Sequence, residues 1–247
     1  MATLTATGQD SFHSKFGPFL PGFVYADPNN ADELEKLAAG GECCAIMMEL
    51  IQGESGVNVL CREYVNAAVQ IAKKNDMLII IDEVQTGNGR TGELYSFMHY
   101  GINPDIVSTA KGLAGGLPIG ACMLGEKVQN VLDAGSHGST FGANPICCAG
   151  AINVLSRLTD GLLNEVKQKS QYIFDELQSA AGVVSCSGIG LMIGIKTQKQ
   201  AAQVIKDCRD KGLLVLSAKD KVRLLPPLNI SWEELRSGMN ILKEVLA

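Results

Sequence analysis

Residues 105–116, Asp105-Ile106-Val107-Ser108-Thr109-Ala110-Lys111-Gly112-Leu113-Ala114-Gly115-Gly116, decide the fold. A short apolar run ends in a lysine, and the lysine opens a glycine-rich turn. Upstream, Met77-Leu78-Ile79-Ile80-Ile81 is purely apolar and ends at Asp82. Its lack of alternation predicts a strand covered on both faces. Before it, Cys43–Leu50 reads as a strand, and Arg62–Asn75 carries Val65, Val69 and Ala72 at helical spacing. Strand, helix and strand make a βαβ unit, so the two strands should be parallel. Asp105–Ala110 is a third strand and Ile119–Leu124 a fourth. Ligands of such sheets gather beyond the carboxyl ends of the strands, where Asp82 and Lys111 both lie.

Outward from this centre, Met1 to about Ala26 reads as irregular, punctuated by Gly17, Pro18, Pro21 and Gly22. Asn30–Leu37 is a short capped helix. After Asn144-Pro145 the pattern changes. Two long helices, Ile146–Leu158 and Leu162–Ala181, precede a strand at Leu191–Ile195 and a helix at Lys199–Lys211. Strands at Leu213–Leu216 and Val222–Leu225 follow, and Ser231-Trp232-Glu233-Glu234 opens a final helix with a capping box. The expected organisation is α/β: residues 1–145 form a mainly parallel sheet with helices on both faces. Residues 146–247 add a linker helix and a smaller α+β domain. No repeat or low-complexity segment interrupts the chain.

The chain of 247 residues can bury a real core. With 46% hydrophobic and 19% charged residues, it is a globular protein rather than a disordered one. A net charge of −5 without a basic tail argues against nucleic acid. No apolar stretch has the length of a membrane span, and Met1–Asp10 lacks a secretory pattern. Eight cysteines lie at positions 43, 44, 61, 122, 147, 148, 186 and 208, without a CxxC pair, beside three histidines. That pattern fits neither a zinc cluster nor a disulfide framework, so no metal site is expected. Buried free thiols in a reducing cytoplasm are the expectation.

An amine and a carboxylate at two buried strand ends suit pyridoxal phosphate. The lysine forms a Schiff base with the aldehyde, and the acid keeps the ring nitrogen protonated. Other readings stand beside this one. Asp82 equally fits an acid that caps the next turn or pairs with an arginine, and most lysines are solvated surface charges. Lys111 nevertheless sits among apolar residues and glycines, where desolvation lowers an amine's pKa. Gly87-Asn88-Gly89-Arg90-Thr91-Gly92 matches GxGxxG but does not follow the strand directly, so it reads as a tight loop and not as a dinucleotide site. His137 to Asn144 is rich in donors that suit a phosphate, or is an ordinary turn. Arg223, between apolar residues and Pro226-Pro227, suits a substrate carboxylate or a structural ion pair. Glu54, just past a strand end, is a candidate for that pair.

In their order along the chain, these segments resemble the class III aminotransferases of the fold type I pyridoxal-phosphate enzymes, in particular the acetylornithine, succinylornithine and ornithine aminotransferases. The matching pieces are Ile51-Gln52-Gly53-Glu54, Asp82–Gly87 with Gly89-Arg90-Thr91-Gly92, His99-Tyr100-Gly101 with Pro104-Asp105, Ser108–Ala121, Gly138–Gly142, and Arg223 with its proline pair. The resemblance implies Lys111 as the Schiff-base lysine and proton shuttle, and Asp82 as the partner of the ring nitrogen. It implies Val84 against a ring face and Gln85 near the ring hydroxyl. Thr140, with Ser139 beside it, would reach the phosphate of a neighbouring subunit's cofactor in a homodimer. Arg223 would hold the substrate α-carboxylate, and Glu54 would mask or release Arg223. The implied reaction is a ping-pong transfer of an ω-amino group, from N-acetylornithine or a relative, to 2-oxoglutarate in arginine biosynthesis. The alternatives are a 4-aminobutyrate or ornithine donor, or a truncated, non-catalytic chain. Family members are longer at the N-terminus. The part without a counterpart here carries a phosphate loop, and Met1–Gly8 reads like the middle of a family chain.

Overall fold

The computed structural model describes all 247 residues. They pack into two compact units, Met1–Ile46 with Cys61–Leu78, and Met47–Leu60 with Ile79–Ala247. The order begins with α1 (Ala2–Ala6), α2 (Asp10–His13) and α3 (Ala31–Ala39). Then come β1 (Ala45–Met48), the short pair β2 (Ile51–Gln52) and β3 (Asn58–Val59), α4 (Arg62–Lys74) and β4 (Leu78–Asp82). The one-turn α5 (Phe97–Tyr100), β5 (Ile106–Thr109), a 3-10 turn at Lys111–Ala114 and β6 (Ala121–Leu124) follow. The rest is α6 (Pro145–Leu155), α7 (Asp160–Gln178), β7 (Val183–Ile189), β8 (Met192–Thr197), α8 (Ala201–Asp210), β9 (Leu216–Ala218), β10 (Lys221–Leu224) and α9 (Trp232–Leu246).

Within the first unit, α1 and α2 replace the irregular segment that the sequence suggests, and His13 Nε2 lies 3.0 Å from the Leu4 carbonyl. α3 starts at the expected cap: the Asn30 side chain accepts the Glu33 N–H at 3.2 Å. Helix α4 buries Tyr64, Val65, Ala68, Ile71 and Ala72 on one stripe, as the spacing predicts.

The first sheet has the order β1-β4-β5-β6. β4 and β5 are parallel, with Asp82 opposite Ser108, and β6 runs antiparallel to β5, with Ser108 opposite Cys122. One face holds the buried Ile46, Ile79, Ile81 and Val107. The opposite face carries Leu78, Ile80 and Asp82, all half-buried, beside the exposed Leu124. β4 is therefore tightly covered on one face only. The expectation of two covered faces fails because its apolar run does not show how much of the chain packs against each side.

The second sheet is antiparallel, with the order β7-β8-β10-β9. Ile193 and Ile195 from β8 meet Ile173 and Leu177 from α7, and Leu235 and Leu242 from α9, in one core. The Asn144 side chain caps α6 by accepting the Ile146 N–H at 3.0 Å, with Pro145 in the first turn. α9 opens with the expected capping box. β7 is absent from the sequence reading, since Ser185-Cys186-Ser187-Gly188 looks like loop and only pairing with β8 makes it a strand. The strand expected at 213–216 lies at Leu216–Ala218 instead. Ala218 pairs with Lys221, so a two-residue turn with Lys219 at φ 53° sets the register, and the apolar run does not. Of the eight cysteines, only Cys147 and Cys208 are buried, while Cys44, Cys61 and Cys122 are exposed. The expectation of buried thiols thus holds for two. No single helix is long and apolar enough to cross a membrane.

Within the second unit, loop 87–92, which follows β4, is tied to residues that flank β8 and β10. The Arg90 guanidinium donates from Nη1 to the carbonyls of Leu191 (3.0 Å) and Pro226 (2.6 Å). The Leu191 N–H donates back to the Arg90 carbonyl at 2.9 Å. Gly190 makes this approach possible: at φ 62°, a Cβ there would meet the Arg90 carbonyl oxygen at 2.5 Å. Gly190→Ala should therefore lower stability in urea unfolding by roughly 2 kcal/mol or more, combining left-handed strain with a backbone clash. Gly212→Ala, at φ 87° with nothing within 4 Å, should lose only about 1 kcal/mol.

Candidate active site

β4 and β5 end side by side, with Asp82 opposite Ser108. Asp82 Oδ1 accepts the Val84 N–H (2.9 Å) and the Ser108 hydroxyl (3.1 Å). No protein group donates to its second oxygen. Beyond β5, the Asn88 amide donates to Thr109 Oγ1 (3.0 Å) and to the Ala110 carbonyl (3.2 Å), pinning the strand end. Lys111 comes next with φ 46°, a left-handed backbone that a side chain disfavours by about 1–2 kcal/mol. Strain of this size persists where the surroundings hold it, and it concentrates at functional sites.

The Lys111 side chain is exposed, as are Gly112 and Gly115–Pro118. The apolar enclosure expected from its neighbours in sequence is not there. The apolar residues next to it, Leu113 and Ala114, turn inward onto Ala151 instead. The ammonium takes part in no hydrogen bond or ion pair, yet its charge lowers the carboxyl pKa of both Glu49 and Glu54.

Arg223 lies in the middle of β10, opposite Gly194 and Leu216, and is 7% exposed. One nitrogen, Nη1, makes all its contacts: the Gly53 carbonyl (3.0 Å), Glu54 Oε1 (3.0 Å) and Gln85 Oε1 (3.4 Å). Its Nε is buried without a partner. The Gln85 amide also donates to Glu54 at 3.0 Å. Gln85 thus belongs to the arginine group in this structure. Burial raises the Glu54 pKa, but hydrogen bonds from Arg223 and Gln85 outweigh it and hold the carboxyl below 4.5. Val84 is half-buried beside these residues in sequence. Ser139 and Thr140 sit in an exposed loop and bond to none of this group.

Three residues escape the sequence reading. Glu83 is fully buried and accepts from Thr86 Oγ1 (2.5 Å), Ser96 Oγ (2.7 Å) and the Phe97 N–H (3.0 Å), which fixes the turn after Asp82. Asn88 anchors the Lys111 turn. Glu49 follows β1 and lies among the charged groups of the site. The signal for Glu83 was an acid directly beside Asp82 after a buried strand. Asn88 and Glu49 reach their partners only through pairing between strands and loops.

The donor chemistry fits the ring end of pyridoxal phosphate. A carboxylate oxygen without a donor suits a protonated ring nitrogen, and a free amine suits an aldehyde.

The model of the aminotransferase class-III family matches residues 1–246. The acetylornithine aminotransferase of Haemophilus ducreyi is 46% identical over 100% of this chain and 63% of its own length. That of Caldanaerobacter subterraneus is 45% identical over 99% and 63%. Among solved structures, the ornithine aminotransferase of Toxoplasma gondii superposes with a TM-score of 0.92 at 31% identity, covering 99% of this chain and 60% of the other. The acetylornithine aminotransferase of Elizabethkingia anophelis gives 0.85 at 30% identity, covering 92% and 63%. The chain thus spans about three fifths of the length of these relatives.

A carboxyl held below its ordinary value stabilises the fold above its unfolded pKa and loses that contribution as pH falls through the folded one. Glu54→Gln should therefore match the native chain in stability well below pH 4.5 and fall behind it above. The gap should stay under about 1 kcal/mol, since the Glu54 side chain is half exposed and screened. Urea unfolding across pH 3–7 tests this.

Proposed function

The chain belongs to the class III aminotransferases, and from that premise we propose that it serves an ω-transamination with pyridoxal phosphate. The donor is N-acetylornithine and the acceptor 2-oxoglutarate, in arginine biosynthesis, as the names of the relatives suggest. The observation that carries this reading is the placement of Asp82 and Lys111 at the ends of adjacent parallel strands.

Bound pyridoxal phosphate supplies an aldehyde that takes up an amine and a cationic ring that withdraws electrons. Asp82 offers its free oxygen to the ring nitrogen and keeps a proton there. Val84 supports a ring face, with Gln85 near the ring hydroxyl. Lys111 provides the amine for the aldehyde. Its amine, when not bonded to the aldehyde, would serve as the base that takes up and returns the proton of the substrate carbon. Arg223 takes the α-carboxylate of 2-oxoglutarate on its unused donors. Glu54 covers Arg223 when the donor's other end enters, which lets one site serve two unlike substrates. Ser139 and Thr140 reach the coenzyme phosphate of a second copy. That assignment has support in the exposed apolar residues Val131, Phe141, Ile146 and Ile152, which suit a homodimer face. Residues 1–145 are the coenzyme-binding part and 146–247 the linker helix and small domain. A cytoplasmic location goes with this metabolic role. Ornithine is the second donor to consider, given the fold likeness to an ornithine aminotransferase.

Incubation with pyridoxal phosphate, borohydride reduction and peptide mapping should label Lys111, and Lys111→Arg should abolish the label. Label elsewhere removes the reading. Among N-acetylornithine, ornithine and 4-aminobutyrate, the first should give the highest kcat/KM. Ile152→Asp should move the sedimenting species toward half its mass.

A further inference from the structure

We propose that Glu49 is a second carboxyl of this site, paired with Asp82, whose charge sets how firmly protons are held on the ring nitrogen and on the Lys111 nitrogen. The inference rests on the assignment of Asp82 and Lys111 above.

α4 connects the neighbouring strands β1 and β4, so the two run parallel. The Leu78 N–H donates to the Cys44 carbonyl at 2.8 Å, which places Leu78 opposite Ala45. Extended four residues, to the position just past the end of β1, this register sets Glu49 beside Asp82. Strand neighbours lie about 4.8 Å apart, and opposed residues point to one face. Asp82 in turn stands opposite Ser108. Glu49, Asp82 and Ser108 therefore form a row across the carboxyl end of the sheet. The Ser108 hydroxyl serves Asp82 from one side, and Glu49 flanks it on the other.

Glu49 accepts one hydrogen bond, from the Gly53 N–H at 3.3 Å, whereas Asp82 accepts two. The charged groups that face Glu49 are Asp82 on β4, Lys111 on the 3-10 turn and Glu54 between β2 and β3. Burial raises its pKa above 4.5. The Gly53 N–H and the Lys111 charge pull it down, Asp82 and Glu54 push it up, and the raising effects win. Two neighbouring carboxylates resist ionising together, so one takes up a proton ahead of the other. With one donor against two, and burial raising its pKa, Glu49 is that one. Its protonation removes one negative charge from beside the nitrogens that Asp82 and Lys111 govern. Glu49 is thus a positioning residue that acts through charge and leaves the substrate untouched.

Two measurements test this. In the chain without coenzyme, carbon-13 labelling of glutamate carboxyls gives the Glu49 titration, identified by its loss in Glu49→Gln. Asp82→Asn should lower that midpoint by about one pH unit. An unmoved midpoint overturns the pairing, whether or not the chain takes up coenzyme. In the coenzyme-loaded chain, the pH midpoint of the visible absorption band should fall by about one unit in Glu49→Gln and return toward native in Glu49→Asp. A structural role alone would leave that midpoint in place, and an unchanged value in Glu49→Gln overturns the proposal. Failure of borohydride to label Lys111 would count against the assigned function instead, and the carboxyl titration would still decide the pairing.

Discussion

The site depends on the parallel pairing of β4 with β5. Asp82 stands opposite Ser108 because backbone hydrogen bonds fix the register. A slip of one residue would set Asp82 opposite Val107 and turn it onto the buried face. Asp105 reinforces that register at the other end of the strands: its carboxylate accepts the Ile79 N–H at 2.8 Å, and its N–H donates to the Ile79 carbonyl at 2.9 Å. The carboxylate and the lysine are thus brought to neighbouring strand ends by backbone geometry. Direct side-chain attraction plays no part in it.

A second constraint holds the C-terminal sheet to the turn between β2 and β3. Arg223 on β10 and Gly53 beyond β2 are far apart in sequence but share a hydrogen bond of 3.0 Å. The arginine is buried and carries one acidic partner, Glu54, whose side chain is half exposed. The pairing is asymmetric: the cation is fixed by its strand, while the anion sits on a turn where it can swing to water. Gln85 bridges the pair, donating to Glu54 at 3.0 Å and accepting from Arg223 at 3.4 Å.

Much of this was legible in the sequence. The run Met77–Ile81 gave β4, the spacing of Val65, Val69 and Ala72 gave α4, and the caps at Asn30 and Ser231 placed two helix starts. Asp82, Lys111, Arg223 and Glu54 stood out because charges beside apolar runs and strand ends need a reason. What stayed hidden depends on partners distant in the chain. β7 is a strand only because β8 lies beside it, and β9 takes its place from a Lys219-Asp220 turn that carries no glycine signal. Glu49 and Asn88 acquire meaning from neighbours across the sheet. The exposure of Lys111 could not be read either, because adjacency to Leu113 does not tell which way each side chain turns.

The anchoring of Arg90 has a consequence of its own. Its acceptors are two carbonyls, of Leu191 and Pro226, and burial lowers its pKa to about 10. Amide oxygens do not titrate in the range where carboxylates do. Acidification would therefore weaken the Glu54–Arg223 ion pair while the tie through Arg90 stayed intact. One of these two ties answers to pH in the carboxylate range, and the other does not.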